Sequence, residues 1–336
     1  MTESRPIIAV TLGDPAGIGP EIVIGALQNQ EIYDRCVPVV IGNCGVLRRC
    51  AETLGLPALD LNVIESPKQA RGTAGTIDLV DVATPGIHGI QPGKLSAEAG
   101  HAANAYIKRA CELGLAGEID AISTTPINKE SLRFARIEHI GHTEMLAAYL
   151  DSPNPLTLFM TENMRVFFLS RHLSLRQAID YITADRVYEF ITRVHTTMTD
   201  FGFVNPSIGL AALNPHASDG RQFGDEEQTH LDPAADRARK DGVNVEGPIG
   251  ADSVFNMALE GRFDCVISLY HDQGHIAAKT RDFYGTVTAT LGLKVLRTSV
   301  DHGTALDIAW QGTAKCISME AAILAACDLL SMASGR

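Results

Sequence analysis

The chain has 336 residues, 45% of them apolar and 20% charged, and a formal net charge of −12. That length and balance fit a soluble α/β protein with ample core, as one large domain or two of ordinary size, and exclude wholesale disorder. The acidic field argues against nucleic acid or an anionic membrane as a partner, and no run of about 18 apolar residues exists to cross a bilayer.

The opening stretch "MTESRPIIAVTLGDP" lacks the basic start and small-residue cleavage site of a signal peptide. "PIIAVTL" (6–12) and "VPVVIGN" (37–43) read as buried strands with a polar helical stretch between them. "SAEAGHAANAYIKRACELGLAGE" (96–118) reads as a helix capped by Ser96, feeding the strand "IDAISTTP" (119–126). "LTLFM" (156–160) and "RVFFLS" (165–170), four residues apart, read as a hairpin. "SIGLAALNPH" (207–216) and "FDCVISLYH" (263–271) are further buried strands, and "SMEAAILAACDLLSM" (318–332) is a closing helix. Short apolar strands alternating with helices predict a mainly parallel sheet flanked by helices, in two interleaved α/β/α lobes with a central cleft. Seven cysteines (36, 44, 50, 111, 265, 316 and 327) form no CxxC pair and lie mostly in apolar runs. Buried free thiols of a cytoplasmic protein are therefore expected, not a zinc ribbon or a disulfide scaffold.

Three of these strands run into histidine: "VFFLSRH" at His172, "GLAALNPH" at His216 and "CVISLYH" at His271. Ligands of open α/β sheets bind outside the carboxyl ends of strands, so three imidazoles delivered there can hold one divalent ion and leave positions open for substrate. A single histidine at a strand end is more often merely hydrogen-bonded; the three together favour the ligand reading. Asp272 adjoins His271 and Asp219 lies near His216. His275 is as well explained by packing as by ligation.

"TLGDPAGIGPEI" (11–22) opens a helix after the first strand, and Gly13, Gly17 and Gly19 suit a tight turn with close ligand approach to backbone N–H groups. Neither G-x-G-x-x-G nor the P-loop pattern fits it, so a nucleotide site of another design and a plain glycine-rich turn stand level. In "HIGHTEML" (139–146), Thr143 either caps a helix or joins His142 in an oxyanion site. Lys279 and Arg297 can neutralise substrate anions; Arg297 lies between apolar "KVL" and "TSV", where an unpaired charge is costly. "DHGTALDIA" (301–309) places Asp301, His302, Gly303 and Thr304 at a helix start suited to a nucleotide.

In this order, "GDPAGIGPE", "GHTE", "RHLSLR", "LNPHA", "YHDQGH" and "RTSVDHGTALDIA" cover nearly the whole chain and resemble the 4-hydroxythreonine-4-phosphate dehydrogenase family of vitamin B6 biosynthesis. The resemblance implies an isocitrate/isopropylmalate dehydrogenase-like subunit, with lobes over 1–126 plus 285–336 and over 127–284. It implies a homodimer with the site near the interface, NAD (or NADP) along Gly13, Asp14, Gly17, Gly19 and Asp301–Thr304, and a divalent metal (Zn, Mg, Mn or Co) on His172, His216 and His271. Substrate contacts carry over onto His142, Thr143, Lys279 and Arg297, and catalytic carboxylates onto Asp252 and Asp272. The implied reaction is oxidation with decarboxylation of a phosphorylated four-carbon hydroxy acid, first of all 4-phosphohydroxy-L-threonine to 3-amino-2-oxopropyl phosphate.

One position departs from the family. Where members commonly read "GVNIT", this chain reads "TVTAT", so Thr288 replaces a substrate-contacting Asn and cannot offer both a carbonyl and an NH₂. Relatives that serve D-threonate or D-erythronate 4-phosphate, or aromatic cis-dihydrodiols, are the alternatives. A hydrolase or aldolase using a three-histidine metal, which needs no nucleotide, and a non-catalytic metabolite sensor are the competing classes.

Overall fold

The computed structural model describes residues 5–139 and 141–334. Residues 1–4 of the N-terminal stretch and Ile140 of "HIGHTEML" lie outside the described residues. The chain forms two compact units, residues 1–155 with 287–331 and residues 156–286 with 332–336.

In chain order the first unit contains β1 (Ile7–Thr11), α1 (Gly19–Ala26), α2 (Gln30–Arg35), β2 (Val37–Gly42) and α3 (Cys44–Thr53). It continues through β3 (Asp60–Ile64), β4 (Thr76–Asp81), α4 (Ala97–Leu115), β5 (Ala121–Thr124), α5 (Lys129–Phe134) and α6 (His142–Tyr149). The second unit holds β6 (Leu156–Thr161), β7 (Met164–Phe168), α7 (Leu175–Tyr181), α8 (Ala184–Asp200), β8 (Ile208–Ala211), α9 (Asp232–Lys240), β9 (Val245–Ile249), α10 (Ala251–Leu259), β10 (Cys265–Ser268) and α11 (His271–Arg281). The chain then returns to the first unit with β11 (Val287–Leu291) and β12 (Leu296–Val300), and α12 (Ile317–Ser334) closes it.

Strands of the first unit lie in the order β3-β4-β2-β1-β5-β12-β11. Pairing is parallel from β3 to β12, with Ile8 opposite both Pro38 and Ala121, and antiparallel between β12 and β11. β1 and β2 are buried almost throughout, which is why they read as nearly unbroken apolar runs instead of alternating ones. The expected helix at 96–118 is α4, and Ser96 Oγ caps it by accepting the Ala99 N–H at 3.1 Å.

The second unit orders its strands β6-β7-β10-β8-β9. The expected hairpin is β6–β7, antiparallel with Leu158 opposite Phe167, while β7, β10, β8 and β9 run parallel. Phe159, Phe168, Val254, Phe263 and Val266 fill one apolar core beneath them. The three strands that run into histidine are thus immediate neighbours pointing the same way, so His172, His216 and His271 follow the same sheet edge.

Two expectations shift. The chain leaves the first unit after residue 155 instead of 126, because α5 and α6 stay on α4. Gly100 of α4 lies so close to α5 that a Cβ there would run into the Ser131 carbonyl, and Tyr149 of α6 donates to Asn104 of α4 at 2.5 Å. Thr143 is not a helix cap: α6 begins at His142 and its N-cap is Gly141. Five of the seven cysteines are buried, none forms a disulfide, and no described helix is long and apolar enough to cross a membrane.

The α4–α5 contact yields the first prediction. Gly100→Val should destabilise the chain by about 1–3 kcal/mol through overpacking, read as a lower urea midpoint with an unchanged slope; an unchanged midpoint would show that α5 can move away freely.

Candidate functional site

The antiparallel pair at the edge of the first unit builds a polar face inside a buried sheet. Thr290 lies opposite Arg297, and Thr288 opposite Ser299. Arg297 also aligns with Ile122 of β5, and Ser299 with Thr124. Side chains two residues apart share a face, so Thr288, Thr290, Arg297, Ser299 and Thr124 face the same way. Arg297 is only 4% exposed. Its Nε and Nη2 donate to Thr124 Oγ1 at 3.0 and 2.8 Å, and its Nη1 donates to Thr290 Oγ1 at 3.3 Å. Hydroxyls thus solvate the fork without cancelling its charge. Burial pulls the guanidinium pKa down and Asp301 pulls it back up; the group stays cationic at neutral pH. A buried cation among hydroxyls is a candidate receptor for an anion.

His142, the first residue of α6, adds to this site. Its Nε2 is sealed from solvent with no hydrogen-bond partner, although the residue as a whole is only half-buried. Burial, and then the positive Arg297, hold its pKa well below the usual histidine value. The imidazole is neutral in the unliganded chain, and an arriving anion would favour its protonation. Thr288 Oγ1 reaches Asp301 Oδ1 at 3.5 Å, the limit of a hydrogen bond.

The glycine-rich turn after β1 is placed differently from its reading as a cofactor cradle. Residues 11–20 are all buried. The N–H groups of Asp14, Gly17 and Ile18 go to the carbonyls of Pro126, Asp14 and Thr304, each at 3.0 Å, and that of Ala16 goes to Asp14 Oδ1 at 2.8 Å. A Cβ at Gly13 would strike the Pro126 carbonyl, at Gly17 Thr304, and at Gly19 the Leu12 carbonyl. Gly13, Asp14, Gly17 and Gly19 therefore answer to the protein's own backbone, and their turn does not fit a phosphate cradle. The loop behind it does fit one. Gly303 is exposed with open space where a Cβ would stand, flanked by the half-buried Asp301 and His302. Buried Thr304 anchors that loop, its carbonyl on Ile18 N and its hydroxyl accepting from Asn128 Nδ2 at 3.3 Å.

In the second unit, His271 opens α11 beside Asp272, with Nδ1 2.6 Å from Asp272 Oδ1. His275 stacks on it at 3.7 Å, packs on Phe159 and Phe168, and spends its Nδ1 on the His271 carbonyl; packing explains it. His172 and His216 are exposed, as is Asp252 in the first turn of α10. Lys279 lies over the Phe283 ring at 5.4 Å. The expected convergence of imidazoles is not met by one chain's side chains: among the described residues no three His, Cys, Asp or Glu groups stand ready to hold a metal. Strand order brings the three backbones to one edge, but His216 sits in a left-handed turn and His271 leans on His275. The donor set, three imidazoles with one fixed by a carboxylate, still fits a divalent ion in kind.

Thr124, Thr290 and Asn128 went unremarked in the sequence. The only hint was polar residues inside otherwise apolar strands, which becomes informative once the register shows which of them face Arg297.

His142 gives a pH prediction. Its folded pKa is depressed, so below about 6.5 the unfolded chain binds the extra proton and stability falls with pH, whereas above that value the residue contributes nothing. His142→Gln should therefore lose up to about 2 kcal/mol less than the parent between pH 7 and pH 5, read from urea midpoints at both. Equal losses would mean that the imidazole already protonates in the folded state.

Residues 34–326 match the family described as pyridoxal phosphate biosynthetic protein PdxA. A protein of Symbiobacterium thermophilum, provisionally named a D-threonate 4-phosphate dehydrogenase, is 50% identical over 321 residues, 96% of each chain. The 4-hydroxythreonine-4-phosphate dehydrogenase of Klebsiella pneumoniae superposes with a TM-score of 0.89 at 40% identity, covering 98% of this chain and 100% of that one. A terephthalate 1,2-cis-dihydrodiol dehydrogenase of Burkholderia xenovorans LB400 superposes less closely, with a TM-score of 0.61 at 29% identity over 94% and 95% of the two chains. By that sequence match and those superpositions the chain belongs to the PdxA family and is a dehydrogenase of that type.

Proposed function

We propose that this enzyme oxidises D-threonate 4-phosphate with NAD, in preference to 4-phosphohydroxy-L-threonine. The carrying observation is Thr288, which presents a hydroxyl on the same face as Arg297. The two substrates differ at C2, where one bears an ammonium and the other a hydroxyl. An ammonium only donates, whereas a hydroxyl both donates and accepts, as Thr288 does. The relatives at 49–50% identity carry the D-threonate 4-phosphate name, and the structures at about 40% the 4-hydroxythreonine name. D-Erythronate 4-phosphate is the nearest alternative, and an aromatic cis-dihydrodiol would leave Arg297 without a phosphate to answer.

Oxidation at C3 of this dihydroxy acid gives a β-keto acid. Its carboxylate then leaves as CO₂, C2 takes up a proton from the Asp272 or Asp252 carboxyl group or from water, and dihydroxyacetone phosphate results. When bound, NAD supplies the hydride acceptor, and a divalent ion on His172, His216 and His271 supplies a Lewis acid that acidifies the C3 hydroxyl. The protein's own residues bind and orient. Arg297 and neutral His142 receive the phosphate, with Thr143 and Lys279 as further substrate contacts. Asp301, His302, Gly303 and Thr304 form the nucleotide loop. Asp272 or Asp252 takes the hydroxyl proton, directly or through water.

We also propose a homodimer. In the second unit α7 exposes Leu175 (58%) and Ile179 (37%), one helical turn apart and so on one face; a shared exposed apolar face suits a protein interface.

Purified enzyme loaded with Co²⁺ should form NADH with D-threonate 4-phosphate at a kcat/KM at least tenfold above that for 4-phosphohydroxy-L-threonine, and Thr288→Asn should narrow the ratio. A preference for the amino acid in the parent would sink the substrate assignment and leave the dehydrogenase standing. Leu175→Glu should shift the chain from dimer to monomer in light scattering after size exclusion; a parent that elutes as a monomer would remove the dimer.

A further inference from the structure

The chain that leads from Asp301 to the start of α12 is held in a backbone it would not choose. Ala305 and Trp310 have φ of 41 and 59°, and Gly312 follows at 72°. Non-glycine residues in the left-handed region are costly, and persist only where the surroundings over-determine them. The near end of the segment is anchored at Thr304, on Ile18 and Asn128. Ala305 comes next, before a short 3-10 turn (Leu306–Ile308), so its strained form lasts only if the far end is held too.

Two residues grip that far end. Glu21, in the first turn of α1, is 6% exposed, and its Oε1 accepts the Ala314 N–H at 3.1 Å. Burial pushes its carboxyl pKa up, and the N–H groups of Ala314, Trp310, Gln311 and Gly312 pull it back down. Four amides of one segment thus converge on one carboxylate. Arg49, on α3, places its guanidinium 5.2 Å from the centre of the Trp310 ring, which is only 4% exposed. Its Nη1 donates to the His88 carbonyl at 2.7 Å and its Nη2 to the Ile90 carbonyl at 2.6 Å. The guanidinium cannot leave the ring without giving up both. The stretch it ties down also bears on the 3-10 turn: a Cβ on Gly93 would come within 2.8 Å of the Leu306 carbonyl oxygen.

We infer that Glu21 and Arg49 are positioning residues for the dinucleotide, holding residues 310–314 so that Ala305 keeps its strained form and Gly303 and Thr304 meet NAD in one fixed shape. Release of the far end would let Ala305 relax to the right-handed region and turn the two residues before it. The inference rests on the reading of Asp301–Thr304 as the nucleotide loop.

The test is calorimetric titration of the full-length chain with NAD, with thermal unfolding of each variant as the check on folding. Glu21→Gln keeps the volume but turns an amide towards the N–H groups, and Arg49→Met keeps the stem but loses the fork. Each should bind NAD about 10-fold more weakly. KM for NAD should rise with the dissociation constant while KM for D-threonate 4-phosphate stays within about twofold, a split that general loosening would not give. Arg49→Lys, which keeps the charge, should recover most of the loss. Trp310 is the chain's single tryptophan, so its emission reports the far end directly and should move to the red in Arg49→Met. Gly303→Val, run beside them, has room for its side chain in the free protein and should lose NAD by standing where the nucleotide lies. If Gly303→Val binds NAD as the parent does, or the parent binds none, the loop reading and this inference fall together. If Gly303→Val loses NAD while folded Glu21→Gln and Arg49→Met bind it within about twofold of the parent, the inference alone is overturned. Should Glu21→Gln not fold, Arg49→Met carries the same test with the same two outcomes.

Discussion

Placing a guanidinium at 4% exposure among threonine hydroxyls is the demand on which the first unit is built. Removing a charge from water costs several kcal/mol unless it is well paired, and hydroxyls repay only part of that. A sequence tolerates the deficit where a ligand makes it good. It also explains why the chain comes back to the first unit at β11. Arg297 needs Thr124 on one neighbouring strand and Thr290 on the other, and only a returning hairpin beside β5 supplies both.

The two units solve opposite problems. The first buries its charged group and surrounds it with hydroxyls of neighbouring strands. The second leaves His172 and His216 exposed and half-buries His271, and spends its buried polar groups on backbone instead. Imidazoles on short side chains cannot search far, so their placement depends on where the main chain leaves each strand. At the exit of β8 that path is fixed by the buried carboxylate of Glu227, which accepts the N–H groups of Leu213 and Asn214.

Much of this was legible in the sequence. Apolar runs located β1, β2, β7, β8 and β10, because strands covered on both faces favour apolar residues along their length. Ser96 announced α4 for an equally local reason. β3, β9, β11 and β12 were harder: their runs are short and mixed, and only pairing makes them strands. The same holds for the site. The three histidines and Arg297 stood out by their neighbours in the sequence, whereas Thr124 and Thr290 matter only through register with Arg297. The lobe boundary moved from 126 to 155 because helix-on-helix contact, not composition, decides where a unit ends.

The turn "GDPAGIGPE" bears on how such sequences should be compared across evolution. Its glycines make room for the chain's own carbonyls, and the amides of Asp14, Ala16, Gly17 and Ile18 are already satisfied. Selection on packing alone would preserve it, independently of what happens in the more open loop at Asp301, His302 and Gly303. Presence of the glycine pattern in a distant sequence is thus a marker of shared ancestry of the fold and by itself says nothing of the ligand.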